Sequence, residues 1–287
     1  MIDEHDYAKQ FRMRNNYKSQ LVSSAWLYKN LDAENLIILD ASIKKVTCTA
    51  SFSAEEWIPH TRYFDLKGKF SDTDAEFPTT IPSQEQFQKE ARQLGVNSDS
   101  QIVVYDNKGI YSSARVWWLF KTFGFNAIAV LDGGLPEWKR CTYNTVSSLH
   151  TASYKNGNFS AQYRDDTMCY FDDISKISSD AQSMILDARS EERFKSLVPE
   201  PRKGLRRGTI PNSKNLPYTS LLNGNCLKPE NELKTIFETF EIEDKSLTFS
   251  CGSGITACIL ALAAEILDYK KITVYDGSWT EYGTLTT

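Results

Sequence analysis

Short apolar runs recur along the chain, and each of them ends at an aspartate or a cysteine. The clearest are LIILD at 36–40, QIVVYD at 101–106, SMILD at 183–187 and SLTFSC at 246–251. Because they are rich in β-branched and aromatic side chains, we predict buried strands there. A strongly helix-forming stretch, 257–267, follows the last run. Strands that alternate with helices predict parallel pairing in an α/β layered fold.

The pattern forms an internal repeat. Residues 101–138 and 246–282 both read as a strand, a tight loop, an apolar helix, a second strand and an Asp-Gly pair. Asp106 in the first copy aligns with Cys251 in the second. Earlier in each half comes a strand that ends in Asp-Ala, followed by an Ile-Pro turn. The chain therefore contains one supersecondary arrangement twice.

We expect two α/β domains, at residues 15–145 and 165–287, each a mainly parallel sheet flanked by helices. The polar segment 144–166, rich in Ser, Asn and Gly, is interpreted as their connector. Ligands of such sheets bind at the carboxyl ends of the strands, which is where Cys251 falls. Since the first copy has Asp106 in place of the thiol, we expect that domain to be non-catalytic and to help form the wall of the cleft.

Cys251 lies where a predicted strand is followed by a helix, in a loop with two glycines (CGSGIT, 251–256). Free N–H groups and the positive end of the helix dipole favour an anion there, and such sites lower a cysteine pKa from ~8.5 to between ~3.5 and ~7.5. An exposed thiolate is a nucleophile. A buried structural cysteine is the alternative interpretation. The glycines favour the nucleophile, because they let backbone amides curl around a central group.

A cysteine in such a loop has two main uses. Attack on a phosphate ester requires an arginine six residues after the cysteine, and that position is Ala257. The other use is to hold a sulfur atom as a persulfide, whose anionic outer sulfur would lie among the loop amides. We therefore favour a persulfide over phosphatase chemistry. The predicted cradle residues are Gly252, Gly254, Ile255 and Thr256.

Composition argues against several function classes. A net charge of -4 argues against a general nucleic-acid binder, and no apolar run is long enough to span a bilayer. Six scattered cysteines without a C-x-x-C pair, and separated histidines at 5, 60 and 150, argue against a zinc site. The first residues are acidic and lack an apolar signal core, so we expect a cytoplasmic location, with a mitochondrial one as the alternative.

Several side chains near these motifs are predicted to have structural roles. Cys258 lies two helical turns beyond Cys251 and is expected in the core. Core packing is also predicted for Trp117, Trp118 and Trp138. Asp187 and Asp276 are either acids of the site or strand-end carboxylates that cap local amides.

The loop CGSGIT, followed by a helix and by VYDGSW at 274–279, resembles the active-site loop of the rhodanese-like sulfurtransferases. The motifs LDAS, VVYD, ARVWW, LDGG, LDAR and PEPRKG extend the resemblance over nearly the whole chain. The branch that uses 3-mercaptopyruvate is the most similar. The resemblance implies tandem rhodanese-like domains, with the nucleophile Cys251 in the second.

The loop also bears on the sulfur donor. Members that use thiosulfate carry basic residues after the cysteine, whereas Gly252 and Ser253 are neutral, so the charge of the donor should be met elsewhere. The resemblance implies that Arg193 and Arg202 bind the carboxylate and keto oxygen of 3-mercaptopyruvate. A planar guanidinium suits an α-keto carboxylate. The alternative for each arginine is a solvated surface charge.

The resemblance further implies a Ser-His-Asp relay that includes Ser253. The family's His-Ile-Pro-Gly motif reads Trp57-Ile58-Pro59-His60 here, so a tryptophan occupies the histidine position. No aspartate lies between Ala41 and Trp57 to orient a histidine. Either the relay is not used, or His60 substitutes from another direction. The alternative role for Ser253 is a loop hydroxyl that satisfies a local amide.

The implied reaction is a two-step transfer through Cys251. Its thiolate takes sulfur from 3-mercaptopyruvate and releases pyruvate. The persulfide then passes sulfur to thioredoxin, a small thiol or cyanide, which can release hydrogen sulfide. No metal or organic cofactor is required, and neither nucleic acid nor a membrane is expected as a partner. Two alternatives stay open: a thiosulfate:cyanide sulfurtransferase, and a binding protein that kept the rhodanese fold without activity.

Overall fold

A computed structural model of the protein describes residues 20–44, 56–149 and 153–287. The start of the first predicted domain, at 15–19, lies outside these ranges, as do His5, Cys48 and His150. Every helix within them is too short or too polar to span a lipid bilayer.

Strands and helices alternate along the described residues. The strands are β1 (Leu21–Val22), β2 (Leu36–Asp40), β3 (Thr61–Tyr63), β4 (Gln101–Tyr105), β5 (Ile128–Leu131), β6 (Met168–Cys169), β7 (Ser183–Asp187), β8 (Lys214–Asn215), β9 (Leu222–Asn223), β10 (Cys226–Leu227), β11 (Ser246–Ser250) and β12 (Ile272–Tyr275). The helices are α1 (Ser24–Asn30), α2 (Gln84–Gln93), α3 (Ser113–Thr122), α4 (Gly134–Arg140), α5 (Phe171–Ser179), α6 (Glu191–Phe194), α7 (Glu230–Glu238), α8 (Ala257–Ile266) and α9 (Ser278–Leu285). Single 3₁₀ turns lie at Asp165–Thr167 and Tyr218–Leu221.

The two halves fold into sheets of the same design. The first sheet has the strand order β1-β5-β4-β2-β3 and the second has β6-β12-β11-β7-β8, and the paired strands of both are parallel. Strands β9 and β10 form a separate antiparallel hairpin. The predicted α/β fold with two parallel sheets is therefore confirmed. Since β4 and β11 occupy the same central place, the loops that follow them are structural counterparts.

One core joins the two halves. Along the strands, alternate side chains point to opposite faces of the sheet: Ile102 and Val104 belong to the shared core, whereas Val103 packs on the outer face. Helices α3 and α8 pack against each other between the sheets. Both helices are buried on nearly every side, and most of their residues are apolar. The loops before α3 and α8 are thereby held at the domain interface.

The predicted core side chains are buried as expected. Trp117, Trp118 and Trp138 are at most 2% exposed, and Cys258 is fully buried within α8. Burial raises the pKa of the Cys258 thiol to about 12. This thiol therefore stays protonated at neutral pH and has a packing role.

Candidate active site

The loop that carries Cys251 runs from the end of β11 to the start of α8, and the first turn of α9 holds it in place. The N–H groups of Cys251 and Gly254 both donate to Ser278 Oγ, at 3.1 Å each. In the opposite direction, the N–H of Trp279 donates to the Cys251 carbonyl at 3.0 Å, and that of Thr280 to the Gly252 carbonyl at 2.9 Å. The position of the loop thus depends on a helix that begins 27 residues after Cys251.

Four of the loop amides are available to a ligand. Within the described residues, no protein acceptor takes the N–H groups of Gly252, Ser253, Ile255 and Thr256. Gly254 differs from the prediction, because its N–H is already bound to Ser278 Oγ. Its role is steric: at φ +70° a Cβ would lie 2.7 Å from the Asp276 carbonyl oxygen. The cradle of free donors therefore excludes Gly254.

Cys251 faces a cavity of about 510 Å³ between the two domains. Gly252, Ser253, Ile255 and Thr256 line it from the same loop, and the first domain contributes residues that include Tyr111. The sequence led us to expect an exposed sulfur, yet Cys251 is only 2% exposed. The difference arises because the first domain covers the loop and leaves open only the side that faces the cavity. The volume suits a small-molecule site.

Arg193 reaches the same cavity from α6. Its Nε and Nη2 both donate to Glu200 Oε2, at 3.2 and 2.5 Å, and Oε1 of that carboxylate accepts from Arg189 Nη1 at 2.8 Å. Glu200 is buried and so holds two guanidiniums at once. A Cβ at position 252 would lie 3.2 Å from Arg193 Nη2, so Gly252 permits this close approach. Nη1 is the end of Arg193 that this carboxylate leaves to a ligand.

Arg202 lies beside the loop with a different set of partners. Its Nη2 donates to Ser253 Oγ at 3.2 Å, and the side chain lines the cavity. Among the described residues no carboxylate forms an ion pair with it. Burial lowers the pKa of Arg202, and the nearby Cys251 sulfur opposes that shift. A half-buried guanidinium without a counter-charge is suited to an anionic ligand.

The corresponding loop of the first domain already surrounds an anion. Asp106 Oδ2 accepts the N–H groups of Tyr111, Ser112 and Ser113 at 2.8 to 3.0 Å, and the Ser113 hydroxyl at 2.8 Å. Oδ1 accepts the N–H of Lys108 at 2.9 Å. The strand–loop–helix unit of this fold therefore directs several amides at one negative charge at the end of its central strand.

Comparison with known proteins agrees with this duplicated design. The model of the rhodanese-like domain matches the chain twice, at residues 23–141 and 171–284. The chain belongs to the rhodanese-like family. The resemblance read from the sequence motifs is thus confirmed.

The relatives of this rhodanese-like protein cover nearly all of it. Thiosulfate/3-mercaptopyruvate sulfurtransferase 1, mitochondrial, of Arabidopsis thaliana is 36% identical in an alignment of 288 positions that covers 92% of this chain and 76% of that protein. The 3-mercaptopyruvate sulfurtransferase of Escherichia coli (strain K12) is 34% identical over 267 residues, covering 91% and 94%. The crystal structure of SseA from Escherichia coli superposes with a TM-score of 0.82 at 32% identity, covering 91% and 99%.

The two rhodanese-like domains do not assemble a Ser-His-Asp relay with His60. That residue lies on another part of the surface, where its side chain is 62% exposed and Nε2 is 3.5 Å from Asp32 Oδ1. Histidine is absent from the described lining of the Cys251 cavity. Beside Ser253 lies Thr79, whose Oγ1 donates to the Ser253 carbonyl at 2.7 Å. The hypothesis that His60 substitutes for the relay histidine is therefore wrong.

Asp187 and Asp276, which the sequence offered as possible acids of the site, both form buried ion pairs. Asp187 accepts the backbone N–H of Arg189 at 2.9 Å and also its guanidinium, with Nη2 at 2.7 Å. Asp276 pairs with Arg115 of the first domain at 2.5 Å. Neither carboxylate lines the cavity. Asp187 thus caps a local amide, as the structural alternative predicted, whereas Asp276 binds groups of the first domain and caps no local amide in the described residues.

Sequence reasoning missed several residues of the site. Glu200 lies in the PEPRKG motif and Ser278 in VYDGSW, but neither was assigned a role there. Thr79 and Lys67 lie in none of the motifs quoted above. Lys67 lines the cavity from the first domain, and burial together with the charge of Arg202 lowers its pKa. Among the described residues it forms no ion pair with a carboxylate, so it adds a second uncompensated positive charge to the cavity.

Replacing Glu200 by glutamine is expected to weaken both the fold and donor binding. Loss of one partner from a buried ion pair costs about 3 kcal/mol of unfolding free energy, because the remaining charges stay desolvated. Arg193 would also lose its orientation, so we expect KM for the donor to rise about tenfold. Urea unfolding and steady-state kinetics measure the two effects. The control is Glu191→Gln, which removes an exposed ion pair with Lys195 and should change neither the free energy of unfolding nor KM. If Glu200→Gln changes these two quantities no more than Glu191→Gln does, the role assigned to Glu200 is wrong.

Proposed function

We propose that this protein is a 3-mercaptopyruvate sulfurtransferase in which Cys251 carries the sulfur as a persulfide. The observation that carries the proposal is the meeting of Cys251, four unused loop amides and the unpaired Arg202 at one cavity. The names of the relatives from Arabidopsis thaliana and Escherichia coli support the same donor.

The cationic groups of the cavity would hold the donor. Arg202 and the free Nη1 of Arg193 suit the carboxylate and keto oxygen of 3-mercaptopyruvate, since both can offer charge-assisted hydrogen bonds. Arg193 is already fixed by Glu200, so little side-chain entropy is lost when the donor binds. This arrangement would place the donor's sulfur next to Cys251.

The first step is a displacement at sulfur. The Cys251 thiolate forms an S–S bond to the donor sulfur, the C–S bond breaks, and its electron pair leaves with the carbon as pyruvate enolate. The enolate takes up the proton that the donor thiol brought, giving pyruvate and a persulfide anion. The outer sulfur would lie among the N–H groups of Gly252, Ser253, Ile255 and Thr256. The four backbone donors around Asp106 in the first domain are an internal precedent for such a cradle.

The second step returns the thiolate of Cys251. An acceptor thiolate attacks the outer sulfur, takes it as a new persulfide and leaves Cys251 as it began. A second thiol then displaces hydrogen sulfide and forms a disulfide. We infer thioredoxin or a small thiol as the acceptor, and cyanide would yield thiocyanate by the same displacement. The cytoplasmic location expected from the sequence stays a prediction, since one relative is named as mitochondrial.

Thiosulfate is the second candidate donor, and Lys67 is the observation that favours it. Lys67 and Arg202 line the same cavity, and neither is paired with a carboxylate in the described residues. Two uncompensated cations suit a dianion. Parallel assays of sulfur release from both donors decide between them, because the preferred donor has the larger kcat/KM. We expect the larger value for 3-mercaptopyruvate.

Exposure to the donor should add the mass of one sulfur atom to the peptide that contains Cys251. We expect no addition at Cys258 or Cys226, because burial raises the pKa of these thiols to about 12 and about 11 and keeps them protonated at pH 7.5. Mass spectrometry of proteolytic peptides measures this. Sulfur on another cysteine would refute the assignment of Cys251, and no sulfur from either donor would leave the inactive binding protein as the better description.

A further inference from the structure

Arg115 is a buried charge of the first domain that contacts the loop of the second. It lies on α3 and is 1% exposed. Its Nη2 donates to Asp276 Oδ1 at 2.5 Å and to the Thr79 carbonyl at 3.0 Å, and Nη1 makes a longer contact of 3.5 Å to the Gly254 carbonyl. The missing side chain of Gly254 is what lets the guanidinium approach, since a Cβ there would lie 3.2 Å from Nη1.

The ion pair also holds the neighbouring segment of the first domain. Asp276 Oδ2 accepts the N–H of Ile81 at 2.8 Å, so both carboxylate oxygens bind first-domain groups. Thr79, held by Arg115 through its carbonyl, donates its hydroxyl to the Ser253 carbonyl at 2.7 Å. Two consecutive carbonyls of the Cys251 loop are thereby held from the first domain.

These contacts determine which way the loop amides point. In a trans peptide the C=O of one residue and the N–H of the next point in opposite directions. The Gly254 carbonyl faces Arg115 Nη1 at 3.5 Å and also accepts from the Cys258 thiol at 3.2 Å. The N–H of Ile255 is therefore turned away from both groups, and Ile255 lines the cavity. The same argument applies to the Gly252 carbonyl, held by the N–H of Thr280, and the N–H of Ser253. Arg115 and Asp276 are both buried, and a low local dielectric makes their hydrogen bonds electrostatically stronger than in water.

We propose that Arg115 is a positioning residue for sulfur transfer: from the first domain, it holds the Cys251 loop and aligns the Ile255 amide, one of the four that would receive the outer sulfur on Cys251. The inference rests on the proposed function. Arg115 does not line the cavity, so it touches neither donor nor reacting atoms. The first domain would then be a working part of the catalytic unit as well as a wall of its cleft.

Arg115→Lys is the main test, because an ammonium can keep the pair with Asp276 but cannot also reach the carbonyls of Thr79 and Gly254. We expect kcat to fall about tenfold with KM within about threefold of wild type, since the cradle acts on the transition state more than on donor binding. For Arg115→Met and for Asp276→Asn we expect a larger fall in kcat, by about 100-fold each. The double variant should lose no more kcat than either single variant. Assays with 3-mercaptopyruvate and alkylation of Cys251 by iodoacetamide give the readouts. Alkylation should slow in parallel.

A stability control separates positioning from simple loss of fold. Leu27→Ala truncates a buried side chain in the cluster on the outer face of the first sheet, and should lower the melting temperature without changing kcat or alkylation below it. The inference is overturned if Arg115→Lys keeps wild-type kcat and alkylation, or if its losses equal those of Leu27→Ala at matched melting temperature. If wild type takes up no sulfur on Cys251, the proposed function fails instead, and the alkylation rates still decide whether Arg115 orders the loop.

Discussion

Replacing Cys251 by serine is expected to lower kcat/KM for sulfur transfer by at least about 1000-fold. A serine hydroxyl is hardly ionised at neutral pH and cannot form a persulfide, so both steps of the reaction are lost. The fold should be preserved, because the residue is small and buried and its backbone contacts with Ser278 and Trp279 do not involve the sulfur. Pyruvate release from 3-mercaptopyruvate measures the loss.

The matched control for this variant is Cys141→Ser. Cys141 is a half-buried thiol at the end of α4 and does not line the cavity. Its replacement should leave kcat/KM within about twofold of wild type. Wild-type transfer by Cys251→Ser would show that another group carries the sulfur, and the proposed function would have to be abandoned.

Replacing Arg202 by methionine should lower kcat/KM for 3-mercaptopyruvate by about 100-fold. Methionine keeps much of the volume and removes the charge. A charge-assisted hydrogen bond to a partly buried carboxylate is worth about 1.5–3 kcal/mol, and the donor's carboxylate would lose its unpaired cation. Most of the loss should appear as a higher KM, because in the proposed function the guanidinium would contact the donor in the ground state as well.

Arg207→Met is the control for the loss of a nearby positive charge. Arg207 donates to the Ser196 carbonyl at 3.3 Å and does not line the cavity. We expect the KM of Arg207→Met for 3-mercaptopyruvate to equal that of wild type. An unchanged KM in Arg202→Met would show that Arg202 does not bind the donor. A fall in kcat alone would instead indicate that Arg202 acts on the transition state, through its hydrogen bond to Ser253.

The two halves of the chain use one loop design for two different anions. In the first domain the aspartate of the strand end fills its own ring of amides, so that loop has no room for a ligand. In the second domain the corresponding residue is Cys251, and four amides are left without a protein acceptor in the described residues. One side chain thus separates a loop whose amides bind their own aspartate from a loop whose amides stay open to a ligand.

Much of the architecture follows from local sequence. The predicted strand before Cys251 matches β11 at Ser246–Ser250, and the predicted helix 257–267 differs from α8 by one residue. The alternation of apolar residues and helix propensity depend on a few neighbouring residues, so both can be predicted from the sequence alone. The internal repeat and the position of Cys251 at a strand end came from the same local signals.

The environment of that cysteine was decided by tertiary structure. Glu200 between two arginines, Thr79 on the Ser253 carbonyl and Arg115 on Asp276 join residues that are 7 to 174 positions apart. The sequence by itself determined the fold class, the duplicated plan and the place of Cys251 at the end of a strand, because each depends on short-range patterns. Only the packing of the two domains decided that Cys251 is buried beside a cavity, that Gly254 is not a free donor and that His60 is elsewhere, because contacts between distant segments depend on how whole sheets and helices fit together.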